Sequence, residues 1–346
     1  MQLTNLVLKN FRCFKNLELK LEAPIILIEG ENGSGKTSIL EALHYLCYLK
    51  SFRTHLSKDL IKLESENFFI KINFSTQEES EIQAGFSGKK KSVKMNNKPI
   101  QSYKELVTAY RSVALTEDDI NLIKGGPDCR RAFIDQYIHL YDTQFLALSK
   151  NYKQIVDNKN ALLQNPRSTH ESYTLWNDQL KNQSLKIQET RKAALKNLED
   201  NVNTLLLENF DPNLYVQFKY EEKIETSTSF EREKLLGRSL FGAHLDDFSI
   251  VFCDKKSRTF ASRGQQKLLI TLMKVAQVRQ LIDKTFNNGS ILFLIDDFMT
   301  DLDANNMSRL APILLSLNTQ LIFTCPLNDS PLKKILLDNN AQIIKL

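Results

Sequence analysis

One short motif limits the folds open to this chain of 346 residues. The stretch Gly30-Glu31-Asn32-Gly33-Ser34-Gly35-Lys36-Thr37 fits the pattern G-x-x-x-x-G-K-[ST]. An apolar run at 25–28 precedes it, and apolar residues at helical spacing follow it, so the context is strand, turn and helix. Backbone N–H groups must point inward to hold a phosphate, and glycine leaves them room. The motif therefore predicts an α/β fold with a phosphate-binding loop at 30–37.

The positions of this loop have different expected roles. Lys36 is expected to reach the terminal phosphates, and the Thr37 hydroxyl is expected to be a ligand of Mg²⁺. The following helix presents the positive end of its dipole to the anion. The candidate nucleotide-binding residues here are Gly30, Glu31, Asn32, Gly33, Ser34, Gly35, Lys36 and Thr37.

A second apolar run ends in two acidic residues. Residues 291–295 are all apolar and lead directly into Asp296 and Asp297. At the end of a buried strand, Asp296 can hold Mg²⁺ through water opposite Thr37. Asp297 can polarise the attacking water. We therefore predict Thr37 and Asp296 as the metal site, and Lys36, Asp296 and Asp297 as catalytic residues.

A third element is the turn at 262–267, which begins with Ser262 and Gly264 and leads into an apolar helix. A serine N-cap beside a glycine makes another helix start that can receive a phosphate. The turn lies shortly before the two-acid strand, and Asp301 and Asp303 lie after it. This arrangement is typical of an ABC-type ATPase rather than of a GTPase or a Rossmann dehydrogenase.

The middle of the chain differs in character from both ends. Apolar residues between Tyr141 and Leu162 recur at alternating steps of four and three, which is a heptad pattern interrupted by Lys159. A second helical pattern begins at Trp176, after a polar break around Pro166. These patterns predict an antiparallel helical hairpin at about 141–207, either packed on the rest of the protein or projecting from it.

The two ends of the chain predict a single discontinuous domain. Strand-like and helix-like segments occur in both, so we expect residues 1–108 and 240–346 to form an ATPase head around a mixed sheet. We expect residues 109–239 to form a second, largely helical lobe or arm.

Composition limits the class of protein and the cellular compartment. Charged residues make up 25% and aromatic residues 9% of the chain, which excludes wholesale disorder. The apolar runs are far too short to span a bilayer, and the N-terminal segment does not have the pattern of a signal peptide, so we expect no membrane association. The five cysteines are scattered and never spaced as C-x-x-C, which argues against disulfides and zinc and for a reducing compartment. We therefore expect a cytoplasmic protein.

A net charge of +5 permits binding to nucleic acid without demonstrating it. Mobile cations suit the phosphates of a duplex, and no interleaved aromatic residues suggest stacking on single strands. The hairpin that carries most of the clustered lysines either contacts double-stranded DNA or is a solvated loop. The candidate DNA-binding residues are Lys89, Lys90, Lys91, Lys94 and Lys98.

Taken together, the motifs resemble those of the RecF family, bacterial recombinational-repair ATPases related to structural-maintenance-of-chromosomes (SMC) proteins. The resemblance covers essentially the full length of the chain. It is carried by residues 8–12, 30–42, 50–53, 96–98, 117–119, 124–135, 242–247 and 262–267.

This resemblance implies a head that binds ATP and Mg²⁺ and forms an ATP-dependent homodimer. Ser262 and Gly264 of one subunit would close over the γ-phosphate held by the loop of the other, which adds Ser262 to the catalytic residues. It also implies binding to double-stranded and gapped DNA, weak DNA-stimulated ATP hydrolysis, RecR and RecO as partners, and help in loading a recombinase at gaps.

Some positions depart from the family pattern. Ala243 and Leu245 stand where the family usually has proline and arginine. Asp297 stands where most ABC-type ATPases have glutamate, which suggests slow turnover, and Thr324 stands where many transporters have a histidine. Two alternatives stay open: an ABC transporter ATPase subunit, and a nucleotide-gated DNA clamp that does not hydrolyse ATP.

Overall fold

The computed structural model describes residues 2–75, 80–100, 105–106, 110–225, 230–284, 290–299, 302–327 and 331–346. These residues form two compact units. Unit 1 comprises Met1–Asp119 and Gln277–Leu346, and unit 2 comprises Ile120–Ala276.

The strands follow in chain order. They are β1 (Gln2–Phe11), β2 (Phe14–Lys20), β3 (Ile25–Glu29), β4 (Phe68–Ser75), β5 (Ser80–Phe86), β6 (Lys91–Met95), β7 (Lys98–Pro99), β8 (Tyr110–Leu115), β9 (Val216–Glu221), β10 (Asp247–Phe252), β11 (Lys255–Lys256), β12 (Ser290–Asp296), β13 (Gln320–Cys325) and β14 (Gln342–Lys345).

The helices are numbered in the same way. They are α1 (Lys36–Tyr48), α2 (Asn121–Lys124), α3 (Pro127–His139), α4 (Thr143–Gln164), α5 (His170–Asn209), α6 (Phe230–Leu236), α7 (Ser257–Phe260), α8 (Arg263–Lys284), α9 (Ala304–Leu315) and α10 (Pro331–Asp338).

Unit 1 contains two sheets. An antiparallel sheet has the order β2-β1-β4-β5-β6-β7, and a parallel sheet has the order β14-β3-β13-β12-β8. In the parallel sheet Thr324 pairs with Ile28 on one side and with Asp296 on the other. The carboxyl ends of β3, β13 and β12 therefore meet at one edge, where ligands of parallel α/β sheets usually bind.

The core of unit 1 is built around α1. This helix is buried along most of its length, which explains why its sequence is apolar on more than one face. Alternate residues of the antiparallel sheet pack on one side of the core, and residues of the parallel sheet pack on the other. The cluster includes Leu6, Ile28, Leu43, Leu46, Ile70, Ile72 and Leu292.

Unit 2 is mainly helical. Helices α4 and α5 are antiparallel neighbours joined at 165–169, close to the predicted 141–207, and α5 contacts β9 and α3. The side chain of Thr169 caps the start of α5. A small antiparallel sheet of order β11-β10-β9 completes the unit.

The compact units divide the chain at other places than the predicted domains. Strand β8 belongs to the parallel sheet, so unit 1 continues to Asp119 rather than ending at residue 108. The predicted boundary at 108/109 itself lies outside the described residues. Strand β10 pairs with β9, so the chain stays in unit 2 well beyond residue 240. The functional division into a head and a helical lobe stays a prediction.

The predicted α/β fold is confirmed, with strands from both ends of the chain in one parallel sheet. Within the part of the chain that the structure describes, every helix is too short or too polar to cross a membrane.

Candidate nucleotide-binding site

The loop at 30–37 connects β3 to α1, as the motif predicts. Gly33 and Gly35 have φ angles of +86° and +103°, which lie in the left-handed region that favours glycine. A Cβ atom on Gly35 would also lie 2.4 Å from Cζ of Phe14 and 2.7 Å from Sγ of Cys13. The turn between β1 and β2 therefore packs directly on the loop, and only glycine fits at position 35.

The Lys36 side chain lies inside this loop and is 5% exposed. Its Nζ donates hydrogen bonds to the carbonyl oxygens of Gly30, at 2.9 Å, and Glu31, at 3.1 Å. The nearest carboxylate oxygen, Oδ2 of Asp297, lies 3.9 Å from Nζ. The loop thus holds a buried cation mainly through neutral carbonyl groups.

Thr37 and Asp296 lie together, as the predicted metal site requires. The Thr37 hydroxyl donates to Oδ1 of Asp296 at 2.9 Å. Burial raises the pKa of Asp296, against the hydrogen bonds from Thr37 and Thr324, because a charged carboxylate is poorly solvated there. A hydroxyl and a carboxylate are hard oxygen ligands of the kind Mg²⁺ prefers, so these residues fit the ion.

Asp297 is held next to them by Thr324. Asp297 has a φ of +48°, unusual for a residue other than glycine. Its N–H donates to Oγ1 of Thr324 at 2.9 Å. The same Oγ1 lies 2.9 Å from Oδ1 of Asp296 and 3.0 Å from Oδ1 of Asp297. Sequence reasoning noted Thr324 only as a departure from transporters and missed this contact with both acids.

Ser262 caps α8 in unit 2, as the sequence predicts for a helix start. Its Oγ accepts a hydrogen bond from the N–H of Gln265 at 3.2 Å, and the Gln265 side chain accepts one from the N–H of Ser262 at 2.9 Å. Ser262 is exposed, and the nearest atom to a Cβ on Gly264 would be Ser262 Oγ at 4.0 Å. The start of α8 is therefore open to an approaching group. Asp301 lies outside the described residues.

A buried network behind the loop was not foreseen. Glu41, fully buried on α1, accepts two hydrogen bonds from Arg12, at 2.8 and 2.6 Å. It also accepts one from Ser51, and Arg53 lies 3.9 Å from it. The network fixes the β1–β2 turn and the segment after α1 to the helix that follows the loop. A single acid in an otherwise apolar stretch was the only signal in the sequence.

Glu29, the last residue of β3, is a second buried acid that was missed. Its Oε1 lies 2.7 Å from Nζ of Lys333 on α10. Its main-chain carbonyl accepts a hydrogen bond from the N–H of Leu346 at 2.9 Å. The strand that leads into the loop is therefore anchored to α10 and to the chain after β14.

The segment at 242–247 lies in unit 2 and is held by side chains of α5. Arg191 donates to the carbonyl oxygen of Ala243 at 2.6 Å. Gln188 donates to both carboxylate oxygens of Asp246, and the Tyr220 hydroxyl donates to one of them at 2.7 Å. These contacts give the segment a structural role that does not depend on the missing proline and arginine.

The predicted DNA-binding lysines do not share one environment. Lys89, Lys90, Lys94 and Lys98 are exposed on or near the hairpin of β5 and β6. Lys91 is exposed as well, but its Nζ donates to the carbonyl oxygen of Leu49 at 2.9 Å, at the C-terminal end of α1. Burial, followed by the nearby charge of Lys50, lowers the pKa of Lys91. Lys91 therefore caps a helix, which the sequence did not indicate.

The parallel sheet, the loop at 30–37 and the two acids at the carboxyl edge of the sheet have the arrangement of an ABC-type ATPase fold. The chain matches the RecF/RecN/SMC N-terminal domain family over residues 2–343. It is 30% identical to the DNA replication and repair protein RecF of Leptospira interrogans, over 94% of this chain and 91% of that protein. It is also 30% identical to RecF of Natranaerobius thermophilus, over 90% of this chain and 87% of that protein. The chain therefore belongs to the RecF/RecN/SMC family, among its RecF members.

Solved structures share the fold. The recombination mediator protein RecF with ATP, described as part of a RecFOR pathway, matches 95% of this chain and 92% of its own with a TM-score of 0.81 and 23% identity. The Smc head domain of Pyrococcus furiosus, bound to the C-terminal domain of ScpA, also shares the fold. The match covers 99% of this chain and 93% of the Smc chain, with a TM-score of 0.54 and 18% identity.

Proposed function

We propose that this protein binds and slowly hydrolyses ATP, dimerises while ATP is bound, and binds double-stranded DNA in that state during gap repair. The observation that carries the proposal is the meeting of Lys36, Thr37 and Asp296 at one edge of the parallel sheet. The Thr37 hydroxyl and Asp296 Oδ1 are 2.9 Å apart there, beside a loop whose buried cation is held by carbonyl groups. Family membership and the names of the relatives, DNA replication and repair proteins, support the setting.

Binding of the triphosphate uses the loop and the first turn of α1. Backbone N–H groups of the loop face the phosphates, and the dipole of α1 favours the negative charge. Lys36 exchanges its carbonyl partners, Gly30 and Glu31, for oxygens of the terminal phosphates. Thr37 and Asp296 would hold Mg²⁺, and the bound ion would neutralise charge that develops on the phosphate oxygens.

Hydrolysis needs a water molecule oriented towards the γ-phosphorus. Asp297 lies next to Lys36 and beside Asp296, so its carboxylate can accept a hydrogen bond from that water and later its proton. The oxygen of that water forms a bond to the γ-phosphorus, the bond from phosphorus to the bridging oxygen breaks, and ADP and phosphate leave. A carboxylate one methylene shorter than glutamate reaches less far, which favours slow turnover.

Dimerisation uses the exposed start of α8. Ser262 Oγ accepts the N–H of Gln265, which leaves its own hydroxyl hydrogen to donate to a γ-phosphate oxygen on a second subunit. Gly264 leaves space for the phosphate to approach the helix. These contacts exist only while the γ-phosphate is present, so hydrolysis weakens the dimer.

Binding to DNA is assigned to four of the five predicted lysines, Lys89, Lys90, Lys94 and Lys98. Lys91 is left out because its Nζ contacts the carbonyl oxygen of Leu49. They contact phosphates without reading bases. The solved RecF structure described as part of a RecFOR pathway supports RecR and RecO as partners of this chain, in loading a recombinase at gapped DNA.

A titration of DNA at several salt concentrations tests the proposal. Duplex, gapped and single-stranded DNA are compared in ATP, in ADP and without nucleotide, for the wild type and for Lys36→Met. We expect salt-dependent duplex binding that needs both ATP and Lys36. Equal duplex affinity in ATP, in ADP and without nucleotide would contradict the proposal.

A further inference from the structure

Thr324 lies between the two acids at the carboxyl edge of the sheet. Thr324 is 1% exposed, and in β13 it pairs with Asp296 of the neighbouring strand β12. Its single oxygen lies within 3.0 Å of one carboxylate oxygen of each acid and of the backbone nitrogen of Asp297.

The two acids contact this hydroxyl in different ways. Thr324 Oγ1 accepts the N–H of Asp297, and its one hydrogen can be donated to only one carboxylate at a time. Asp296 has a second hydroxyl donor, Thr37, at 2.9 Å. Asp297 contacts Thr324 twice, through its backbone and through its carboxylate. Loss of the hydroxyl therefore removes a backbone and a carboxylate contact of Asp297, and a carboxylate contact alone of Asp296.

The backbone of Asp297 makes this dependence stronger. Its φ of +48° is a conformation that residues with a Cβ adopt only when the surroundings impose it. The hydrogen bond from its N–H to Thr324 is one such constraint, and it comes from a strand that is itself fixed on both sides by β3 and β12. A rigid strand can hold a carboxylate in a defined direction.

We propose that Thr324 is a positioning residue for Asp297, which it holds in the direction needed to orient the attacking water. This role rests on the proposed ATPase function and refines it. Thr324 acts on the hydrolysis step and leaves binding of ATP and of Mg²⁺ to the loop, Thr37 and Asp296. Slow turnover then depends on a threonine and an aspartate that work as a pair.

Two substitutions of nearly unchanged size test this role. Thr324→Val keeps the branched shape that suits a strand and removes the hydroxyl, whereas Thr324→Ser keeps the hydroxyl. Steady-state ATP hydrolysis gives kcat and KM, the half-saturating Mg²⁺ concentration is measured in the same assay, and a fluorescent ATP analogue gives the Kd. Thermal unfolding checks that each variant is folded.

For Thr324→Val we expect kcat to fall by about tenfold or more, since small displacements of a reacting group have effects of this order. We expect KM, the Kd and the Mg²⁺ requirement to stay within about twofold of wild type, because the groups that bind ATP are unchanged. Thr324→Ser is expected to restore most of the lost kcat.

Three results would overturn the role of Thr324. They are an unchanged kcat in Thr324→Val, a loss of ATP or Mg²⁺ affinity as large as the loss of kcat, and a serine variant as slow as the valine variant. The first of these leaves the proposed function intact. If the wild type itself hydrolyses ATP no faster than Lys36→Met, both the proposed function and the role of Thr324 are wrong.

Discussion

Unit 1 and unit 2 both bury a lysine, and the two lysines are held differently. Lys159 in unit 2 is fully buried, with Nζ 2.9 Å from Glu233 and further hydrogen bonds to Asn177 and Ser239. Lys36 in unit 1 is nearly as buried, but its hydrogen bonds go to carbonyl oxygens of a loop. One charge is neutralised inside the protein by a carboxylate in direct contact, and the other is 3.9 Å from its nearest carboxylate oxygen.

This difference separates a structural ion pair from a binding site. Burial alone marks both lysines as unusual, since lysine is rarely buried without a partner. The charge of Lys159 is matched by Glu233, so nothing more is needed there. The loop around Lys36 can exchange carbonyl contacts for phosphate oxygens with a gain in electrostatic energy. The identity of the partner, rather than burial, therefore indicates function.

The largest effect is expected when the lysine of the loop is replaced. Lys36→Met should lower the rate of ATP hydrolysis by about a hundredfold or more, because a fixed charge on the transferred phosphate is lost. Its melting temperature should stay close to that of the wild type. Phosphate release and thermal unfolding measure the two quantities, with Lys186→Met, at an exposed position of α5, as the matched control. If Lys36→Met hydrolyses ATP at the wild-type rate, Lys36 is not a binding-site lysine, and the proposed difference in role between Lys36 and Lys159 is wrong.

The reverse pattern is expected in unit 2. Lys159→Met should lower the free energy of unfolding by about 3–5 kcal/mol, because Glu233 is left buried without its cation. The double variant Lys159→Met/Glu233→Met should recover much of this loss. The only tryptophan of the chain, Trp176, lies next to Asn177, so its fluorescence follows unfolding of this region.

The Lys159 variant needs its own check on function. The protein that stays folded should bind ATP with the wild-type Kd. Loss of ATP affinity without loss of stability would show that Lys159 is more than a structural cation.

A smaller effect is expected from pH, again in unit 2. Burial lowers the pKa of His244 to about 4, and the charges of Arg131 and Lys159 add to this against Asp246 and Glu233. Nδ1 of His244 lies 2.8 Å from the Tyr152 hydroxyl, which accepts a hydrogen bond from Ser184. A neutral imidazole can accept the proton of the Tyr152 hydroxyl at Nδ1.

The sign of the pH effect follows from these pKa values. Between the ordinary pKa of about 6.5 and the folded value of about 4, the unfolded chain binds a proton that the folded chain does not. Stability should therefore fall by about 1–2 kcal/mol between pH 7.5 and pH 5. His244→Gln should show a flatter profile by Trp176 fluorescence, and parallel profiles for the two proteins would contradict the assignment.

The smallest effects are expected for charges that are neither buried nor paired. Lys89→Gln and Lys90→Gln should each weaken binding of duplex DNA a few-fold and reduce the slope of log K against log salt by about one. The exposed Lys186→Gln on α5 is the control and should change neither. Lys91→Gln should act mainly on stability, because Lys91 caps α1. An unchanged slope in all of the hairpin variants would assign DNA binding to another surface.

Local signals in the sequence predicted most of the site. The loop, the two acids at the carboxyl end of β12 and the cap at Ser262 are each contained in a few adjacent residues. The meeting of the loop with the two acids followed from a general rule, because parallel strands bring their carboxyl ends to one edge. The helical hairpin could also be predicted from the sequence, because a heptad pattern and a polar break are local features.

The missed features depend on contacts between distant parts of the chain. Thr324 reaches both acids only because β13 lies between β3 and β12, and no local pattern fixes that strand order. The pairing of Glu29 with Lys333 crosses most of the sequence. In the sequence Lys159 only interrupts the heptad pattern of apolar residues. In the structure it forms a buried ion pair with Glu233.

Sedimentation velocity with bound nucleotide tests the central claim most directly. The wild type is measured with ADP and with a non-hydrolysable ATP analogue, after binding of each has been verified. We predict a monomer with ADP and a dimer with the analogue, and a monomer in both for Ser262→Ala or Lys36→Met. A wild-type protein that stays monomeric at high concentration with the analogue bound would contradict the account.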